Sequence, residues 1–274
     1  MNFLYGKLKV ILTVSIIILF IALNQNTANA QRTKTSQKAG EQRKAEKGLK
    51  DNRYFIYFLD STITNFGTDQ EKKKFKEACQ RDIISHLLYM KYLFKESYSE
   101  IRKTQKILID LYQICLKKDL DMAKNLLNEA APKSLLSNNV KATAYIRLGY
   151  REQKSAEIFL NMGDNYKETL YSLRLYQYLK AMKNAKHSKR YGLLATVESR
   201  IPAGEKSETE QLDFYQFNEK LQKISTPEKK DYYSLIHIDN YYRIKGELSI
   251  YEAVWEKSDL HEVEDYKKYL SDDD

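Results

Sequence analysis

FKEACQRDIISHL, residues 75–87, sets Phe75, Cys79, Ile83 and Leu87 four apart with charged and polar side chains between them. That spacing draws one apolar stripe along an α-helix. Leu108, Leu111 and Cys115 repeat the pattern, and nothing in the chain alternates with period two for long. The fold class is therefore all-α. Thr68 with Glu71, Ser97 with Glu100, Ser207 with Glu210 and Asp259 with Glu262 each place a capping oxygen three residues before a glutamate. Thr226 before Pro227 adds a fifth helix start. Pro132, Pro202 and Pro227 fall between periodic segments, and an interior proline costs a helix about 3 kcal/mol, so they mark boundaries. The expected helices run near 53–64, 69–95, 98–118, 120–130, 139–161, 165–185, 188–199, 208–223, 227–245, 248–257 and 260–270. Short connections between them predict an antiparallel bundle of about ten helices. Arg200–Ser207, with Pro202 and Gly204, is the expected division between a helical subdomain over 51–200 and a C-terminal one over 201–270, before an acidic tail at 271–274.

The chain ends differ in chemistry. Lys7 and Lys9, the apolar run Val10 to Leu23, and Ala28-Asn29-Ala30 follow one another in the order of a secretory signal, so residues 1–30 are expected to be cleaved. A run of fourteen residues falls short of the roughly twenty that span a bilayer, so no membrane span is expected after cleavage. Loss of Lys7 and Lys9 lowers the formal charge from +9 to +7. Residues 31–50 carry seven bases against Glu41 and Glu46, with no apolar side chain larger than Ala before Leu49. Too little surface is available there to offset ordering entropy, so a disordered basic arm is expected. Residues 246–274 carry ten acids against Lys257, Lys267 and Lys268. A basic arm suits nucleic acid, but export removes that partner, leaving a solvated tether or a contact with an acidic protein or anionic lipid.

Little in the chain suggests chemistry. Cys79 and Cys115 sit on apolar stripes, where small buried hydrophobes explain them without a bond, although export would permit a disulfide. His86, His187, His237 and His261 are spread over four separate parts of the helical pattern, none with a His or Cys at metal-ligand spacing. No glycine-flanked serine elbow or phosphate-cradling loop is present, so neither enzyme activity nor a cofactor is expected. A lone half-repeat at Phe159, Met162, Gly163 and Tyr166 has the bulky, Leu, Gly and Tyr pattern of a tetratricopeptide unit. Leu175 and Met182 then occupy places where that repeat wants small residues.

Tyrosine stands out, with 22 residues against 10 Phe and one Trp. A stiff ring with a polar tip suits surfaces buried on assembly, although most tyrosines in such a chain serve as core. Two neighbours on a helix point about 100° apart and cannot both face one narrow core. Tyr232, Tyr233, Tyr241 and Tyr242, with Trp255 beyond, are therefore the candidate partner-binding residues. DYYSLIHIDNYYRIK, residues 231–245, and the stretch on to Trp255 resemble the flagellar-coiling proteins that sheathe the periplasmic flagella of spirochaetes. The resemblance implies a non-enzymatic sheath subunit in the periplasm, bound to filament and sheath proteins and shaping the filament for motility. Opposite charge at the two ends is compatible with self-assembly head to tail. The alternatives are a periplasmic helical-repeat adaptor and a surface-exposed host-binding protein that uses its basic segment on acidic glycans.

Overall fold

The computed structural model describes residues 38–200, 248–257, 260–263 and 266–269. Among these every regular element is helical. Helix α1 runs through residues 38–66. It is followed by α2 (Asp69–Met90), α3 (Phe94–Leu136), α4 (Val140–Asn165), α5 (Tyr171–Glu198) and, after residues outside the description, α6 (Ile250–Glu256). Two 3₁₀ turns, Leu260–Glu262 and Tyr266–Tyr269, close the described chain. No described helix is long and apolar enough to cross a membrane.

Cross-links between helices set their directions. Ser97 Oγ donates to the Ser85 carbonyl, Arg81 pairs with Glu100 and Lys118 with Glu71, so α2 and α3 run antiparallel. Tyr150 bonded to Asn128 and Gln113 to Asp164 make α3 and α4 antiparallel. Asn139 donating to the Glu198 carbonyl, and Ser188 to that of Gly149, do the same for α4 and α5. Between α3 and α5 the bonded pairs Gln105–Ser172, Gln113–Tyr178 and Asp119–Lys189 advance together, so those helices are parallel.

The helices are fewer and longer than the periodicity predicts, because three expected breaks are absent. Residues 98–118 and 120–130 form one helix, α3, which also contains Pro132. That proline sits exposed in the penultimate turn, where its ring meets solvent and few later hydrogen bonds remain to be lost. Ser97 and Glu100 are not a cap. The serine bonds the preceding helix and Glu100 is a fully buried partner of Arg81 and Lys103. Residues 165–185 and 188–199 likewise lie largely in one helix, α5. The Thr68–Glu71 capping box is present as expected, and Ser249–Glu252 forms another.

The expected basic arm is also corrected from residue 38 onward. These residues are the first turns of α1, with Ala45 and Leu49 buried against Phe94 and Ile101. Small residues make this possible. A Cβ on Gly48 would lie 2.8 Å from Ile101 Cγ2, so the helices approach more closely than bulk apolar side chains allow. The signal segment 1–30, residues 31–37, residues 201–247 and the tail 271–274 lie outside the described residues.

Two cores share α3 and α5. The larger joins Phe55 and Leu59 of α1, Phe75 and Cys79 of α2, Leu108 and Tyr112 of α3, Tyr178 and Met182 of α5, and Val254 of α6. The smaller gathers Leu127, Tyr145, Ile146, Leu193 and Val197 at the far ends of α3, α4 and α5. Cys79 and Cys115 are both free, buried thiols. Tyr112, Tyr145 and Tyr178 serve as core, as most tyrosines were expected to do.

Gly163 tests the packing of α4 on α5. A Cβ there would sit 2.5 Å from the Tyr178 ring. That ring is fully buried, its hydroxyl donating to Asp164 and accepting from Gln113 and Arg174. Overpacking costs about 1–3 kcal/mol and the helix-propensity gain returns about 1, so Gly163→Ala should lower Tm by a few degrees. Gly40→Ala, with nothing within 4 Å, should not lower it. Thermal unfolding of both variants checks this, and a Gly163→Ala protein as stable as the parent would contradict it.

Candidate functional site

The C-terminal elements are held along α1 and α2 by specific bonds. The first amides of α6 are met by α1 side chains: Ile250 N–H donates to Thr64 Oγ1 at 3.1 Å and Tyr251 N–H to Asp60 Oδ1 at 3.2 Å. Burial raises the Asp60 pKa despite these bonds. Further on, Glu262 accepts from Lys76 and Gln80 of α2. Tyr269 Oη donates to Glu100 Oε1 at 2.9 Å, joining the carboxylate already held by Arg81 and Lys103.

This clamp seats Trp255 on α2. Its ring meets His86 edge-on at 5.8 Å and Tyr251 at 6.1 Å, while 46% of the residue remains exposed. One turn beyond His86 stands Met90, 65% exposed. Met90 also lines a groove of about 310 Å³ with Ile84, Leu87, Leu88, Tyr266 and Tyr269. Tryptophan and groove are thus neighbours on one end of the helical body.

The chain reverses at this end in an unusual way. Tyr92 N–H donates to the Tyr89 carbonyl and Leu93 N–H to that of Leu88, the paired bonds of a left-handed helix terminus. Tyr92 carries φ 62°, a conformation that glycine adopts freely and other residues at a cost of about 1–2 kcal/mol. Its ring nevertheless projects 71% exposed, touching Phe94 edge-on at 6.1 Å. Leu93 beside it is also exposed.

Beneath Trp255 lies a buried acid. Asp82 is fully inaccessible, its Oδ1 accepting from Asn52 Nδ2 at 3.1 Å and its Oδ2 without a hydrogen-bond partner, 3.7 Å from His86 Nε2. Burial pushes the Asp82 carboxyl up to about 7, outweighing the Asn52 bond and the attraction of Arg53. Burial first, then Arg53, moves His86 the other way, toward its neutral form. His86 is thus held toward its neutral form while Asp82 is about half ionised near pH 7, and the 3.7 Å approach is not a strong ion pair. The thiols are likewise suppressed as nucleophiles, since burial lifts Cys115 to about 12 and Cys79 well above its usual range. Among the described residues no group of three His, Cys, Asp or Glu side chains is placed to hold a metal ion.

Of the candidate partner-binding residues, Trp255 lies in this surface. Tyr232, Tyr233, Tyr241 and Tyr242 lie outside the described residues. Sequence reasoning missed Met90, Tyr92 and Leu93, because it continued the preceding helix through them. The turn contains neither glycine nor proline, and only the odd tyrosine in a run of apolar residues hints at it.

Exposed apolar side chains stand at both ends of the described helical body, with Met90, Tyr92, Leu93 and Trp255 at one and Leu135, Leu136 and Val140 at the other. A family described as surface protein adhesin OmpL37 matches residues 39–269, and the chain belongs to that family. No curated protein and no solved structure matches. The family corrects the resemblance to flagellar-coiling proteins. Sheath subunit, filament partners, motility and a flagellar location all gave way to the adhesin, because helical character and tyrosine content are shared by unrelated helical proteins and no short motif separated them.

Asp82 makes the fold pH-dependent. A carboxyl whose pKa rises from 3.8 in the unfolded chain to about 7 in the fold stabilises the protein below pH 3.8, and this contribution is lost as pH climbs to about 7. Asp82→Asn keeps an acceptor for Asn52 and removes the charge. Denaturant titrations from pH 4 to 8 should show the parent losing stability relative to the variant across that range, with the variant the more stable at pH 8. Parallel curves would mean that Asp82 ionises as an ordinary carboxyl.

Proposed function

We propose that this protein is an exported, non-enzymatic adhesin displayed at the cell surface, and that it holds protein ligands through the end of the body bearing Trp255, Met90, Tyr92 and Leu93. The family match carries the reading: it runs over residues 39–269 and takes in nearly all the described elements. The amino-terminal segment supports export, with its basic start, apolar run and small-residue cleavage site. Surface chemistry supports the binding end. Interface energy concentrates in a few aromatic and long apolar anchors beside a pocket. Here Trp255 and Tyr92 supply the rings, Met90 adapts, and the groove beside them supplies the pocket. Of the readings considered above, the surface-exposed host-binding protein is the one this supports.

Added protease should remove the protein from intact cells while leaving periplasmic proteins untouched. Purified mature protein should bind a basement-membrane preparation coated on plastic, and Trp255→Ala or Met90→Ser should weaken that binding about tenfold, as loss of an interface anchor does. Tyr92→Gly separates binding from folding. It should relieve about 1 kcal/mol of backbone strain and raise stability, yet bind less well. Complete protection from protease on intact cells would sink the surface reading, and undiminished binding by all three variants would move the adhesive site elsewhere.

A further inference from the structure

We propose that the exposed face of α1 is a binding site for a linear sulfated polysaccharide. Arg43, Lys47, Lys50 and Tyr54 fall at intervals of four, three and four, which sets them on one stripe of the helix about 16 Å long. All four are exposed. The opposite face, Ala45, Gly48, Leu49, Asn52, Phe55 and Ile56, is buried. At the stripe's end Lys183 of α5 adds a fourth cation, its Nζ 3.3 Å from Tyr54 Oη and 5.9 Å from the ring centre.

Of the two acids nearest this line, one is buried. Asp51, the acid nearest Tyr54 in sequence, is buried and accepts from Tyr176 Oη at 2.8 Å. Exposed Glu46 borders the stripe, three residues after Arg43 and four before Lys50, and offsets part of its charge there. Successive cations on such a stripe stand about 5–6 Å apart, inside the screening length of about 8 Å at physiological salt, so they act on a ligand together. Because α1 is anchored through Gly48 and Leu49 on Ile101 and Phe94, the cations are held in register before the ligand arrives.

The shape of the stripe selects the ligand. A row of like charges along one helix fits a chain of regularly spaced anions better than a single phosphate or carboxylate, and such basic runs are a known form of heparin patch. An amphipathic helix that lies on lipid needs an apolar face between its cations, and the only large apolar surface on this stripe is the Tyr54 ring. An acidic protein partner would want further buried anchors, which the stripe lacks. Tyr54, 43% exposed beside Lys183, adds aromatic edge and a hydroxyl at the end of the row. The inference rests on the adhesin reading for access to extracellular glycans, while its binding chemistry is tested without cells.

Purified mature protein should be measured against heparin, fully desulfated heparin, polyglutamate, and phosphatidylserine vesicles, at about 0.15 M salt. Heparin should bind and the other three should not. The triple variant R43Q/K47Q/K50Q should bind heparin about a hundredfold more weakly, at about fivefold per cation lost. The triple variant K117Q/K124Q/K133Q removes the same charge from exposed positions on α3 and should stay within about twofold of the parent. Circular dichroism and thermal unfolding confirm that both are folded. Equal losses in the two triples would reduce the effect to net charge and overturn the site. Equal binding to polyglutamate or to vesicles would give the stripe to an acidic protein or to a lipid surface. Absence of heparin binding by a protein that still adheres to basement-membrane protein would defeat this inference alone, whereas protection from protease on intact cells would defeat the adhesin reading.

Discussion

Helix α3 carries the architecture: 43 residues without interruption, about 64 Å at 1.5 Å per residue. No other described helix spans both cores so completely. Its first half packs with α1, α2 and α5, and its second half with α4 and the end of α5. A break at residue 119 would disconnect the two. The join is instead braced by a buried pair, Lys189 Nζ to Asp119 Oδ1 at 2.7 Å. One turn of α5 earlier, Lys186 donates to Thr62 of α1 and lies 5.1 Å from the Phe58 ring. Removing one member of such a pair strands a buried charge and costs several kcal/mol, which makes these lysines structural in spite of their charge.

The same economy of buried polar groups positions the carboxy-terminal elements. Val254 and Val263 contribute little apolar area by themselves, and α6 has only seven residues, too few to persist alone. Asp60, Thr64, Glu100, Lys76 and Gln80 supply the hydrogen bonds that hold these pieces against α1 and α2. Trp255 therefore owes its place beside His86 to polar contacts made by other residues. Asp82 below the ring adds a dependence on pH to this assembly.

Two chemically different surfaces result. One end of the body presents aromatic and apolar side chains around a groove, and the outer face of α1 presents a row of cations. Both depend on the close approach of α1 to the α2–α3 pair, since Ala45 and Leu49 pack on Phe94 and Ile101 with Tyr89 and Tyr98 alongside. For the adhesive role proposed above, apolar anchors would give residence time while cations would speed encounter.

Much of the secondary structure was legible in the chain itself. The stripe Phe75, Cys79, Ile83, Leu87 and the cap at Thr68–Glu71 are local patterns that depend only on helical geometry, and they stand as read. Burial of Cys79 and Cys115 follows from the same stripes. Local patterns failed where a neighbour in space decided the outcome. Ser97 and Glu100 have the spacing of a cap, but Ser85 and Arg81 across the interface claim them. Residues 38–50 have Leu49 as their only bulky apolar side chain, yet order because Gly48 and Ala45 let α3 come close, a gain invisible to any count of hydrophobic residues. Tyr92 ends a helix without glycine or proline, and Trp255 gains its setting from residues nearly two hundred positions away. Periodicity by itself determined that the chain is helical and which faces are apolar. Tertiary packing alone decided how long the helices run, which charged side chains are buried, and which residues remain exposed to meet a ligand, because each of those depends on what another helix brings within hydrogen-bond or van der Waals reach.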